Sequence, residues 1–231
     1  MMDNFTASFY QNFIEDYRWK YITDGLFNTL RITFFAVLIG IFLGFLIAVV
    51  RSTYDKTQKL GVLNALCKVY LTVIRGTPMM VQLMIMYFVI FASSRHSVAV
   101  ATLAFGINSG AYVAEIVRGG IMSVDAGQME AGRSLGMNYT QTMRHIIIPQ
   151  AIKNILPALG NEFITLLKET SICGYVGMMD LTKAGDIIRS QTYDQMMPLL
   201  GVAVIYLVIV MILVWLLGKL ERRLRSGERR S

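Results

Sequence analysis

Long runs of apolar residues without a charged side chain alternate with shorter polar segments along this chain. Four of these runs are each close to the roughly 20 residues that an α-helix needs to cross a bilayer. They cover residues 32–50, 77–92, 97–114 and 196–218. A fifth run, 146–167, contains Lys153 and Glu162, and we include it because the chain there would otherwise be a very long apolar loop. The pattern therefore predicts an all-α membrane protein with about five transmembrane helices.

The overall composition agrees with a protein whose solvent is the bilayer. Of the 231 residues, 55% are hydrophobic and only 16% are charged, and the mean hydropathy is +0.52. A soluble domain of this size could not cover so much apolar surface. No internal repeat or low-complexity linker divides the sequence, so we expect a single transmembrane domain over residues 1–231. Within the first run, Gly40, Gly44 and Ala48 recur every fourth residue, which predicts close packing against another helix.

The distribution of lysine and arginine predicts the orientation of the chain. Short loops rich in these residues stay on the cytoplasmic side. If the N-terminus is outside, fifteen of the 22 basic residues are cytoplasmic, among them Arg229 and Arg230 in the C-terminal tail. We therefore predict an extracytoplasmic N-terminus and a cytoplasmic C-terminus. The net charge of +7 then reflects topology and attraction to anionic lipid, and we expect no nucleic-acid partner.

The sequence lacks the motifs of catalysis and of metal or nucleotide binding. His96 and His145 have no cysteine or histidine partner at metal-binding spacing. No G-x-x-x-x-G-K-[ST] loop and no Ser, His and Asp arrangement can be found. Cys67 and Cys173 fall toward opposite sides of the membrane in the predicted topology, so we expect no disulfide. These observations favour a transport or scaffold protein over an enzyme, and any ATP dependence would come from another chain.

A polar segment with regular helix signals lies between the predicted runs 97–114 and 146–167. Residues 123–145 read SVDAGQMEAGRSLGMNYTQTMRH. Asp125 and Asn138 are each followed three residues later by Gln, as in a capping box, and Gly136 is typical of a helix C-terminus. The segment is therefore predicted to form a helix, a glycine turn and a second helix. Three apolar residues interrupt its polar surface: Met129, Leu135 and Met137. They indicate a docking surface, and the alternative is an amphipathic loop that lies on lipid head groups.

Part of this segment, EAGRSLGMNYTQTMRHIIIPQA, resembles the cytoplasmic signature of ABC importer permeases. That signature reads Glu-Ala-Ala, three residues, Gly, nine residues, Ile, one residue, Leu-Pro. The matching positions are Glu130, Ala131, Gly136, Ile146 and Pro149. Gly132 replaces the second Ala and Ile148 replaces the Leu. The resemblance implies the type I ABC importer permease fold, with about 123–149 as a coupling segment that docks on an ATPase subunit. It assigns this contact to Glu130, Ala131, Gly132 and Gly136.

Three further stretches resemble the permeases of the histidine, glutamine and arginine uptake systems: YLTVIRGTPMMVQLMIMYF, GINSGAYVAEIVRGGI and LPALGNEFITLLKETSI. This resemblance implies a subunit of the bacterial inner membrane that imports a polar amino acid. It also implies partner chains, namely ABC ATPase subunits that bind ATP and Mg²⁺, a second permease subunit and an extracytoplasmic substrate-binding protein. The permease itself would carry no cofactor.

Polar side chains inside the predicted membrane segments define a candidate substrate site. Ionisable groups cost about 2.5 to 3.5 kcal/mol there on insertion scales and usually mark pathways. A site that binds an amino acid needs an anion or hydrogen-bond acceptors for the ammonium group. It also needs a cation or hydrogen-bond donors for the carboxylate. Asn108, Tyr112 and Glu115 share one helix face at i, i+4 and i+7. Glu162 and Glu169 are seven residues apart and therefore also share a face. The candidate residues are Asn108, Tyr112, Glu115, Glu162, Lys168, Glu169 and Ser171.

The residues leave two alternatives open. Glu115 could pair with Arg118, and Glu162 with Lys153, and each pair would then only hold helices together. For the whole protein, the alternative is a stand-alone secondary amino acid carrier or channel, although no inverted repeat of the carrier type is visible. We expect an alternating-access permease in which two identical or related subunits line the pathway.

Overall fold

The computed structural model describes residues 2–226, which fold into helices joined by short turns. Within that range the α-helices are α1 (Met2–Phe9), α2 (Trp19–Thr57), α3 (Gly61–Gly76), α4 (Met79–Ile85), α5 (Ser97–Met122), α6 (Ala126–Ser134), α7 (Tyr139–Thr142), α8 (Ile148–Glu169), α9 (Leu181–Thr192) and α10 (Met197–Ser226). Turns of π-helix follow α1, α4 and α7, and a 3₁₀ segment follows α8. The described part of the chain contains no strand, and the predicted all-α class is confirmed. Arg229 and Arg230 lie outside the described residues.

Three of the described helices, α2, α5 and α10, are long and apolar enough to cross a membrane. The predicted runs 32–50 and 97–114 lie inside α2 and α5, and α10 begins one residue after the start of the run 196–218. A fourth crossing results if Gly61–Gly76 and Met79–Ile90, which meet at a bend, are taken as one broken span. Pro78 occupies the N-cap position of α4, where its missing N–H costs no hydrogen bond.

The fifth predicted run, 146–167, is helical and lies mostly in α8. Polar residues such as Gln150, Lys153 and Asn161 make α8 less apolar than the other long helices. Its role as a fifth crossing therefore stays a prediction.

Two helices are additional to the predicted runs. Asn64, Lys68 and Arg75 interrupt the apolar sequence of α3, so this amphipathic helix gives no uninterrupted apolar run. α9 is polar on average, and Asp180 precedes its first residue. The Asp180 carboxylate accepts hydrogen bonds from the backbone N–H groups of Thr182 at 2.9 Å and Lys183 at 3.2 Å. This is the usual role of an N-cap aspartate. Burial raises the pKa of Asp180, and these hydrogen bonds act in the opposite direction.

Backbone contacts group the chain into two compact units, and each unit is built from three separate stretches. Unit 1 contains the described residues up to 37, residues 77–106 and residues 164–213. Unit 2 contains residues 38–76, residues 107–163 and the described residues from 214 onward.

In unit 1, an aspartate ties the N-terminal helix to the turn between α9 and α10. One carboxylate oxygen of Asp194 accepts hydrogen bonds from Ser8 at 2.7 Å and from Asn12 at 2.8 Å. The hydroxyl of Thr192 donates to Asn12 at 2.7 Å. The other Asp194 oxygen accepts from backbone N–H groups at the start of α10. We call Ser8, Asn12, Thr192 and Asp194 the N-terminal clasp. Its hydrogen bonds, led by the one from Ser8, hold the pKa of Asp194 below its ordinary value.

In unit 2, the small residues of α2 allow α5 to approach closely. A β-carbon added at Gly40 would lie 2.7 Å from the hydroxyl oxygen of Ser109, and one added at Gly44 would lie 2.5 Å from Val113. Ala48 is buried in a cluster with Val113 and Val117. The close packing predicted for this series is therefore confirmed.

Candidate functional site

The coupling segment folds into the predicted helix, turn and helix. α6 begins after Asp125, whose side chain accepts the backbone N–H of Gly127 at 2.6 Å. The capping box predicted at this position is wrong in detail, because Asp125 reaches the second helical residue and the side chain of Gln128 faces Gln150 instead. The second predicted capping box is confirmed, since Asn138 and Gln141 each bond the backbone N–H of the other.

The turn between these two helices depends on a glycine. Gly136 has φ +80°, a left-handed conformation that side chains with a β-carbon rarely adopt. Its N–H bonds the carbonyl of Arg133 at 2.9 Å, and the N–H of Met137 bonds that of Gly132 at 3.1 Å. This pair of hydrogen bonds is the Schellman arrangement, which satisfies carbonyls that a helix end leaves without partners. The predicted C-terminal role of Gly136 is confirmed.

A second close contact fixes the two helices of the segment against each other. Gly132 is buried, and a β-carbon added there would lie 2.5 Å from the Cγ2 of Thr142. Thr142 is fully buried and donates its hydroxyl to the carbonyl of Asn138 at 3.0 Å. The chain then continues through a π-helical turn directly into α8. A force applied to the segment would therefore reach a long helix without an intervening loop.

The outward surface of the segment carries both charge and apolar area. Glu130 and Ala131 are exposed, and Leu135 at the turn is 79% exposed. Met129 and Met137 are half-buried. An apolar side chain that stays this exposed on a well-braced turn is typical of a surface that another molecule covers.

Some of the predicted substrate residues lie together in unit 2. Asn108 is buried in α5, and Tyr112, one turn later, is 39% exposed. Glu162 in α8 accepts a 2.9 Å hydrogen bond from the hydroxyl of Ser109. Sequence reasoning missed Ser109, although its neighbour Asn108 was selected. No pattern within α5 distinguishes Ser109, because its role depends on the packing of Gly40 in α2 and Glu162 in α8 against it.

Glu115 belongs to an arginine cluster in the same unit. Its carboxylate lies 2.8 Å from a guanidinium nitrogen of Arg51, 3.8 Å from one of Arg75 and 4.0 Å from one of Arg118. The pairing with Arg118 that the sequence offered as an alternative is therefore present, but the closest partner is Arg51 in α2. The carboxylate of Glu115 therefore faces three guanidinium groups, one from its own helix and two from α2 and α3.

The remaining predicted residues lie in unit 1. Lys168 is exposed near the C-terminal end of α8, and Glu169 is half-buried beside it. Ser171 lies in the 3₁₀ segment Thr170–Val176 and lines a cavity of about 350 Å³ with Lys183 and Asp186. Within residues 2–226, no group of three or more His, Cys, Asp or Glu side chains could hold a metal ion.

Comparison with known proteins gives consistent results. A family model described as "Binding-protein-dependent transport system inner membrane component" matches residues 36–226. The arginine transport system permease protein ArtQ of Bacillus subtilis is 36% identical over 212 residues, which cover 90% of this chain and 94% of that protein. The glutamine transport system permease protein GlnP of Escherichia coli is 36% identical over 210 residues, covering 88% and 93%.

Solved structures agree with these relatives. The chain matches a structure described as an amino acid ABC transporter with histidines at a TM-score of 0.82 and 45% identity, over 88% of this chain and 94% of that one. It matches the inward-facing MetNI methionine ABC transporter at a TM-score of 0.73 over 91% and 99% of the two chains. At 19% identity, the second match shows the fold alone.

The fold and these relatives define a multi-pass permease subunit of a bacterial ABC importer, located in the inner membrane. The chain belongs to the family of binding-protein-dependent transport system inner membrane components. The predicted type I importer fold and the predicted family are confirmed. The chain is a transport subunit and not an enzyme, and the stand-alone carrier is not favoured.

Proposed function

We propose that this chain forms the translocation pathway of an ATP-driven importer of polar amino acids. The arginine and glutamine permeases among its relatives support this substrate class. Separate ATPase subunits that bind ATP and Mg²⁺ supply the energy, and an extracytoplasmic binding protein delivers the substrate. A second permease subunit, identical or related, completes the pathway, which opens alternately to the two sides of the membrane.

The coupling segment is the observation that carries the ATP-driven part of this proposal. Its glycine turn is fixed by a Schellman pair of hydrogen bonds and by the contact of Gly132 with Thr142. The exposed side chains of Glu130 and Leu135 lie on this rigid support. A rigid, partly apolar protrusion that continues into α8 can transmit movement of an ATPase subunit to a membrane helix. We assign the ATPase contact to Glu130, Ala131, Gly132 and Gly136, with Gly132 acting from inside the segment.

The substrate contacts are assigned to the polar groups that the sequence selected. In unit 2 they are Asn108, Tyr112 and Glu162, which α5 and α8 present near the Ser109 hydrogen bond. In unit 1 they are Lys168, Glu169 and Ser171. Glu115 lies on the same face of α5 as Tyr112. Its arginine partners, however, favour the structural role that the sequence left open. The acidic groups that remain, Glu162 and Glu169, favour a zwitterionic or cationic amino acid.

The proposed orientation places the coupling segment in the cytoplasm. The excess of lysine and arginine in the segments assigned to that side supports an extracytoplasmic N-terminus and a cytoplasmic C-terminus. This orientation is also the one in which an ATPase can reach Glu130.

A pull-down of the ATPase subunit tests the coupling surface. Glu130→Arg reverses an exposed charge without disturbing the Gly136 turn, and we expect it to abolish ATPase capture while membrane insertion is unchanged. Lys59→Glu is the control, because it reverses another exposed charge on the proposed cytoplasmic side. Capture by Glu130→Arg at the wild-type yield would show that the coupling surface is wrongly assigned.

A further inference from the structure

A pocket of about 440 Å³ in unit 2 is lined mainly by basic side chains. Arg51 of α2, Lys68 and Arg75 of α3, and Glu115 of α5 contribute its charged groups, and Thr72 adds a hydroxyl. We call this the basic pocket. The transport mechanism proposed above does not use it.

The charges in and around the basic pocket do not balance. Glu115 is the only carboxylate among the pocket-lining residues, and it faces the guanidinium groups of Arg51, Arg75 and Arg118. Lys68 adds a fourth cation. Arg51 is the most enclosed of the three arginines, with 17% of its side chain exposed. Its Nε is buried without a hydrogen-bond partner among the described residues. Buried donors of this kind are usually satisfied, so the pocket has capacity for an anion.

The exposed face of α3 indicates the source of that anion. Val62, Leu66, Val69 and Val73 follow one another at spacings of four, three and four residues, which places them on one stripe of the helix. Each is more than half exposed, from 81% for Val62 to 53% for Val73. The stripe is apolar and long enough for acyl chains to lie along it. It lies about a third of a turn around α3 from Lys68 and Arg75, so a lipid held in the pocket would reach the stripe past the exposed side of Thr72.

From these observations we propose that the basic pocket binds the phosphate group of an anionic phospholipid, with the acyl chains along the exposed stripe of α3. Guanidinium groups match phosphate oxygens in a two-pronged geometry, and basic pockets between membrane helices are suited to anionic head groups. Glu115 keeps Arg51 in place, while Lys68, Thr72 and Arg75 contact the phosphate. In the proposed orientation this is a lipid of the cytoplasmic leaflet. Lipid binding of this kind would stabilise the association of α2, α3 and α5 within unit 2.

The test uses the full chain in neutral detergent, with native mass spectrometry to count bound lipids. Short-chain phosphatidylglycerol is titrated into the wild type, into Lys68→Gln/Arg75→Gln and into Lys59→Gln as a matched control outside the pocket. Lys68 and Arg75 are exposed, so their loss should not impair folding. Arg51 is left intact because its removal would leave Glu115 without its closest partner.

We expect the first phosphatidylglycerol to bind the wild type and Lys59→Gln equally, and to bind the double variant roughly thirtyfold more weakly. Short-chain phosphatidylcholine has the same tails without net charge and should bind all three proteins equally weakly. Inorganic phosphate, tested by its ability to displace phosphatidylglycerol, should compete poorly. Equal phosphatidylglycerol affinity in the wild type and the double variant would overturn the site. Displacement by phosphate at a similar concentration would overturn the lipid assignment.

Discussion

The hydroxyl of Ser109 donates a 2.9 Å hydrogen bond to the carboxylate of Glu162 and so joins α5 to α8. Ser109 is fully buried, and α2 approaches it at Gly40. Three helices of unit 2 therefore meet at a polar contact. A glutamate placed at such a junction can act both on helix packing and on the charge of a pathway, and substitutions can separate the two effects.

Glu162→Gln should change substrate selectivity more than it changes folding. Glutamine keeps an oxygen that can accept the Ser109 hydrogen bond but carries no charge. We expect uptake of a cationic amino acid to fall about tenfold relative to a neutral one, because an interaction with a charged group contributes about 1.5 kcal/mol or more. Competitive uptake of arginine and glutamine in proteoliposomes measures this ratio. Ser109→Ala is the control, since it removes the hydrogen bond and keeps the charge. An unchanged ratio in Glu162→Gln would remove Glu162 from the substrate site.

Gly132→Ala should impair coupling, although alanine stands at this position in the family signature. The new methyl group would lie 2.5 Å from the Cγ2 of Thr142, a buried and branched side chain that cannot move aside easily. Overpacking of this kind costs about 1 to 3 kcal/mol. We expect Gly132→Ala to lower substrate-stimulated ATPase activity. The double variant Gly132→Ala/Thr142→Ala should regain much of that activity. Failure of the second substitution to restore activity would show that Gly132 acts by another route.

Asp194→Asn should loosen the N-terminal clasp without disturbing the start of α10. One asparagine oxygen can still accept the backbone N–H groups, but the amide nitrogen cannot accept from Ser8 and Asn12. Loss of two hydrogen bonds corresponds to roughly 1 to 3 kcal/mol. Each kcal/mol of lost stability should lower the midpoint of thermal unfolding in detergent by roughly 2 to 4 °C.

The clasp also predicts the direction of a pH effect. The pKa of Asp194 is lower in the folded protein than its ordinary value of about 3.9, so its ionised form stabilises the fold. This contribution is fully present above that ordinary value and is lost as the pH falls through the lower folded-state pKa. Thermal midpoints of the wild type and Asp194→Asn should therefore converge only below about pH 4. Convergence already at pH 6 would contradict the hydrogen-bonded, ionised state of Asp194.

Cysteine labelling tests the proposed orientation. Ser94, Gln191 and Ser134 are exposed positions in separate loops and helices. With an extracytoplasmic N-terminus, an impermeant maleimide should label Ser94→Cys and Gln191→Cys in intact cells, and Ser134→Cys only after permeabilisation. The native thiols should give little background, because Cys67 and Cys173 are buried and burial raises the pKa of the Cys173 thiol. Labelling of Ser134→Cys from outside would reverse the topology.

The sequence predicted those features of the fold that depend on local patterns. Uninterrupted apolar runs predict α2, α5 and α10 because crossing a bilayer requires a continuous apolar surface. The turn at Gly136 was equally predictable, since its conformation excludes most other residues. α3 was missed because Lys68 and Arg75 interrupt its apolar sequence. The long aliphatic stems of these two side chains allow their charges to reach a polar pocket.

The candidate site shows where local patterns stop being informative. Helical spacing placed Asn108, Tyr112 and Glu115 on one face and offered Arg118, three residues away, as a partner for Glu115. The closest partner is Arg51, which is 64 residues away in the sequence. Ser109 and Glu162 are likewise separated by 53 residues. No periodicity within one helix encodes such a pairing, because it depends on which faces of two helices pack together.

The central claim is that this permease imports polar amino acids only when an ATPase subunit drives it. The most direct test is uptake of labelled arginine and glutamine into proteoliposomes that contain the permease, its ATPase subunit and its binding protein. We expect uptake to require ATP, to be lost when the ATPase subunit is omitted, and to be lost in Glu130→Arg but not in Lys59→Glu. Uptake at the wild-type rate without the ATPase subunit would contradict the claim and identify the chain as a carrier.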